Sequence, residues 1–84
     1  MEIKTALDWN KVSTELHSQL RSIGYNPDLN KMFDNIDNMV KELSKAEVRI
    51  RRSGNSFRLN DQVEQINKSI KHLEHYILMA RLMG

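Results

Sequence analysis

Residues 36–73 read IDNMVKELSKAEVRIRRSGNSFRLNDQVEQINKSIKHL, and their apolar positions mirror one another about a point between Gly54 and Asn55. Ile50 pairs with Leu59, Ala46 with Val63, Leu43 with Ile66, Met39 with Ile70 and Ile36 with Leu73, each pair of numbers adding to 109. Outside the stretch the reflection continues through Met32 with Ile77 and Leu29 with Ala80. A helix folding back on itself writes this pattern, because in an antiparallel pair each a position of one helix meets a d position of the other. Leu29, Ile36, Leu43 and Ile50 take a and Met32, Met39 and Ala46 take d. On the returning helix Leu59, Ile66, Leu73 and Ala80 take d and Val63, Ile70 and Ile77 take a. No charged residue interrupts either seam.

The flanking sequence supplies stops and starts. Asn26-Pro27-Asp28 opens the second helix with a cap, a proline at the first helical position and an acid in the first turn. Ser53-Gly54-Asn55 ends it, and the third helix runs from about 57 to 83. A first helix is expected over about 8–23, capped by Asp8, with Leu7 and Val12 as a hydrophobic staple. Trp9, Val12, Leu16, Leu20 and Ile23 form its apolar face, and Gly24 follows where a left-handed residue is wanted. Ile3 and Ala6 extend the stripe backwards, so a start near Glu2 is an open alternative. The first helix also reflects onto the second: Ile23 with Leu29, Leu20 with Met32, Leu16 with Ile36, Val12 with Val40 and Trp9 with Leu43 all add to 52. Phe33 and Val40 widen the second helix's apolar face to receive it. The reading is all-α: one domain, residues 1–84, three helices up-down-up, with a long coiled-coil-like antiparallel hairpin of helices 2 and 3.

Composition fits a small soluble domain. Eighty-four residues lie near the size below which a lone core is marginal. The chain has no cysteine, so neither disulfides nor thiolate–metal sites brace it. One proline and three glycines argue against disorder and against an all-β fold. Met1-Glu2-Ile3-Lys4 lacks the basic start and apolar stretch of an export signal. No apolar run approaches the roughly 20 residues that span a bilayer. A cytoplasmic protein with no membrane partner is expected.

Helix lengths differ enough to matter. At 1.5 Å per residue the first helix is about 22 Å long and the other two about 38 Å each. The layers Ala46/Val63 and Ile50/Leu59 are therefore expected to stand as a bare two-helix arm, which buries little apolar area against its ordering entropy. A helical 1–7 segment would cover part of the gap; otherwise a second copy or a partner does. Self-association, with a dimer favoured, follows.

Two surfaces are candidate sites. Near the C-terminus Leu78, Met79 and Leu82 fall on the outward face at neighbouring helical positions, while Tyr76 and Met83 are placed to face the first helix. Flexible, Met-rich apolar surfaces suit protein contacts. Leu78, Met79, Leu82 and Met83 are the expected protein interface, with Ile50, Leu59 and Val63 of the arm as a second one. The other surface is basic. Lys41, Lys45, Arg49 and Arg52 line one stripe, Arg51 and Arg58 flank the turn, and Phe57 sits among them. Residues 41–58 hold six bases and two acids, a net +4 against +2 for the whole chain. Lys45, Arg49, Arg51, Arg52, Phe57 and Arg58 could meet phosphates, with the ring stacking on a base, or an acidic protein. The bland alternative is a solvated helix end in which cations favour the dipole and Glu47 pairs with Arg51.

Catalysis, cofactors and metals are not expected. An enzyme of this size needs charged residues converging on an internal pocket, and every seam position is apolar. Asp34 and Asp37 lie on the outer side of helix 2 as solubilising charges. His72 and His75 are three apart on an outward face, His17 stands alone, and no further ligand completes a metal set. The expected function is that of a small helical adaptor, chaperone or regulatory protein acting by protein–protein interaction. A nucleic-acid-associated accessory protein using the basic tip is the alternative.

Overall fold

The structure, a computed structural model, describes residues 1–53 and 57–83, apart from the side chains of residues 51–53 and 57. Among these residues the chain forms a 3-10 turn, Ala6–Asp8, and three α-helices: α1 Trp9–Ser22, α2 Pro27–Ser53 and α3 Phe57–Met83. These bounds match the expected ones to within a residue. The expected reversal at Gly54 lies outside the described residues.

The helix ends follow from local chemistry. Asn26 Oδ1 accepts the amides of Asp28 at 3.1 Å and Leu29 at 3.2 Å, satisfying two of the donors that the start of α2 leaves unpaired. Gly24 has φ +85°, a left-handed conformation that glycine adopts without Cβ strain, and its amide donates to the Arg21 carbonyl at 3.2 Å.

Helices α2 and α3 pack along each other. Grooves on their shared surface bring together Ile50 with Arg58, Ala46 with Gln62, Met39 with Ile66 and Met32 with Tyr76. Numbers fall on one helix as they rise on the other, so the pair is antiparallel in the mirrored register. Ile36, Leu43, Ile66, Ile70, Leu73 and Ile77 are all but sealed from solvent. Each such side chain contributes about 1.5–3 kcal/mol through burial.

Helix α1 adds Trp9, Val12, Leu16 and Leu20 to this core. It meets Val40, which is buried, and Phe33, whose ring lies 5.5 Å from that of Trp9 and 5.1 Å from that of His17. Its far end is tied to α3, where Arg81 Nη2 donates to Ser22 Oγ at 2.9 Å. Helix α1 thus runs antiparallel to α2 and parallel to α3.

The start of the chain departs from expectation. Residues 1–5 are not helical; they form a strap against α3 that bends at Lys4 and Thr5, and Ile3 within it is 1% exposed. Asp8 does not cap α1. Its Oδ2 turns back to accept the amides of Lys4 at 2.9 Å and Thr5 at 3.1 Å, and these two backbone donors hold its carboxyl below the usual range. Thr5 is extended and caps the 3-10 turn instead. Leu7 is 77% exposed, so no staple forms with Val12. The reason is competition: two free backbone amides upstream offered the carboxylate a better partner than the helix it precedes.

Candidate functional site

Three surfaces matter. The first is the end of α3, where Leu78, Met79, Leu82 and Met83 are 54, 43, 75 and 84% exposed. Tyr76 and Met83 do not face α1. Tyr76 is about 160° around the helix from Glu74, at 3.6 residues per turn, and Glu74 is on the side that meets the N-terminus. Tyr76 instead lines a groove of about 340 Å³ with Met32, Asn35, Met39, Ser69 and His72 on the open side of the hairpin. The exposed apolar surface is accordingly wider than the sequence indicated. It runs from Leu78, which borders the N-terminal strap, through Leu82 and Met79 to Met83 and Tyr76.

The second surface is the arm. The 3-10 turn before α1 reaches α2 at Glu47, whose Oε1 accepts the Ala6 amide at 3.0 Å. On this part of the hairpin Ile50, Leu59 and Val63 are half-buried, and Val48 is exposed. A groove of about 380 Å³ here is lined by Glu42, Lys45, Ala46, Arg49, Ile50, Arg58 and Gln62. Lys45, Arg49 and Arg58 are exposed, but Glu42 shares the groove and pairs with Lys45 at 3.7 Å. Lys41 leaves the basic stripe, bound to Asp37 at 3.2 Å. The placements expected for the Arg51, Arg52 and Phe57 side chains, and the Glu47–Arg51 pair, lie outside the described residues. Gln62 Oε1 is buried and without a hydrogen-bond partner among them.

Asp37 is more than a solubilising charge. Its Oδ1 accepts the Trp9 indole N–H at 2.9 Å, and that bond, helped by Lys41, lowers its pKa despite partial burial. The position lies beside Phe33 and Val40 on the face that receives α1, which explains why an acid sits there. His17, His72 and His75 are exposed. No group of three His, Cys, Asp or Glu side chains among the described residues could hold a metal ion.

The third surface was not expected. Helix α3 meets the strap with Glu74, Lys71 and Asn67 on successive turns. Glu74 Oε1 pairs with the Met1 amine at 2.9 Å, and Lys71 Nζ lies 3.7 Å from Glu2 Oε1. Asn67 accepts the Ile3 amide at 2.8 Å and donates to the Ile3 carbonyl at 2.9 Å. The sequence holds one clue: Thr5-Ala6-Leu7-Asp8 has the Thr-x-x-acid form that opens a helical turn. It places the start of helix before Asp8 and leaves residues 1–4 outside. Nothing local announces Asn67.

No protein-family model matches this chain, and neither does any curated protein or solved structure. Among the described residues no helix is long and apolar enough to cross a membrane.

Proposed function

We propose that the chain is a small cytoplasmic adaptor, chaperone or regulatory protein that binds proteins, a second copy of itself included, and is not an enzyme. The observation that carries this reading is the exposed apolar end of α3, Leu78, Met79, Leu82 and Met83. A contiguous apolar surface at the end of a small domain marks an interaction site, and methionines let it adapt to more than one partner. The half-buried Ile50, Leu59 and Val63 of the arm offer a second contact. Light scattering after size exclusion tests the proposal. The expected result is a dimer at micromolar concentration that Leu82→Asp converts to a monomer with unchanged helicity. A wild-type chain that stays monomeric up to millimolar concentration overturns it.

A second reading draws on the exposed Lys45, Arg49 and Arg58 around one groove. It makes the tip a phosphate-contacting surface of a nucleic-acid-associated protein. Binding of single- or double-stranded probes would then fall steeply as salt rises and vanish when Arg49, Arg51, Arg52 and Arg58 become Gln. No retardation at low salt removes this reading.

A further inference from the structure

We propose that the side of α3 bearing Asn67, Lys71 and Glu74 is a peptide-receiving surface, held closed by the chain's own residues 1–5, and that its ligand is an extended partner segment with an acid followed by an aliphatic residue. This is independent of the apolar end of α3.

Geometry supplies the recognition. Asn67 engages the amide and carbonyl of one residue together, at 2.8 and 2.9 Å, so it reads extended backbone and not a particular side chain. Selectivity comes from its neighbours. The side chain flanked by that clasp is buried to 1% exposure, which calls for an aliphatic group of about the size of isoleucine. Lys71 faces the preceding position and favours a carboxylate; Glu74 faces the one before and favours a cation. Along the strap, successive residues therefore meet an acid, a base and an amide in order, one per turn of α3. This is a charge pattern that a partner's segment could satisfy equally well.

Release is built into the same segment. Met1, Glu2, Lys4 and Thr5 are exposed, and Ile3 alone is buried. Both ion pairs precede Ile3, that of Met1 partly exposed and that of Glu2 fully so, and surface pairs hold weakly. The strap is tethered through the turn at Thr5–Asp8, so it competes with any incoming segment at an effective concentration of about 1 mM.

The test is a fluorescence-anisotropy titration of full-length protein with a C-terminally labelled peptide carrying the sequence of residues 1–6. Ile3→Asp, which prevents the strap from docking, is expected to bind it with a sub-millimolar dissociation constant. That is about 5-fold tighter than wild type, whose surface is mostly taken by its own strap. Adding Asn67→Ala to Ile3→Asp should abolish binding, as should an aspartate at the third position of the peptide. A helical Ile3→Asp chain that shows no saturable binding, or binding indifferent to Asn67→Ala, overturns the proposal. Should Ile3→Asp not fold, the wild-type chain is titrated with the peptide to several millimolar. Saturable movement of the Asn67 side-chain amide signals supports the proposal, and no movement refutes it. A wild-type dimer dissolved by Asn67→Ala but not by Leu82→Asp would assign the surface to a second copy's strap, and that too overturns it.

Discussion

Ile3 and Leu43 are equally hidden, at 1 and 0% exposure, yet replacing each by alanine should have different consequences. Leu43 lies in the middle of α2, where its neighbours cannot withdraw, so Leu43→Ala should cost about 2–5 kcal/mol. Ile3 belongs to a segment that can leave. Ile3 burial contributes about 1.5–3 kcal/mol. The paired Asn67 bonds and the Ala6–Glu47 bond together add about 2.5–6 kcal/mol. Ordering residues 1–6 costs about 6–12 kcal/mol. These terms nearly cancel, so docking adds little to global stability, and Ile3→Ala can remove no more than docking supplies. The expected loss is under about 2 kcal/mol, because the strap opens locally before the helices do. Urea unfolding followed by circular dichroism at 222 nm gives both values. Ile3→Ala should also raise exchange at the Ile3 and Ala6 amides while leaving core amides of α3 protected. Equal losses for the two variants, with exchange unchanged outside global unfolding, would refute the reasoning and make the strap an integral part of the core.

Three further outcomes follow from named contacts. The Asp37 pKa is lowered from 3.8 by the Trp9 indole, so its contribution is present above that value and lost as pH falls through the depressed one. Trp9 emission should shift in that acid window, and Asp37→Asn should remove that part of the transition; an identical titration in the variant contradicts the bond. Gln62→Leu removes a buried acceptor without a partner, which should stabilise by about 1 kcal/mol and raise Tm by about 4–8 °C. A lower Tm would show that the oxygen is satisfied in solution. Gly24→Ala puts a Cβ at φ +85° where nothing lies within 4 Å, so backbone strain alone should destabilise by about 1–2 kcal/mol, and an unchanged Tm would count against it.

The hairpin was legible because its information is local and repeated: Leu29 to Ile50 on one helix and Leu59 to Ala80 on the other each carry the register. Asn26 and Gly24 were legible for the same reason, since each acts within three residues of itself. The strap was not. Ile3, Ala6 and Trp9 are spaced as on a helix, and only partners 41 and 64 residues away, Glu47 and Asn67, make the extended form acceptable. Asn67 reads as an ordinary polar position on α3 until a backbone is laid across it. The exposed set at the end of α3 was legible for Leu78, Met79 and Leu82 from the seam. Tyr76 and Met83 were misplaced, because the side of α3 on which α1 packs is fixed by Ser22 with Arg81 and by the strap, not by the heptad.

Asn67 lies 64 residues after Ile3, so their clasp has a consequence for how the molecule is made. At a synthesis rate of about 5–20 residues per second, the nascent strap waits about 3–13 s before its receiving amide exists. During that interval Ile3 lacks the partner that orders it, whereas Trp9 meets its own partners, Phe33 and Asp37, as soon as α2 is made. The strap can therefore take its place only after most of α3 has been made, later than the contacts between α1 and α2.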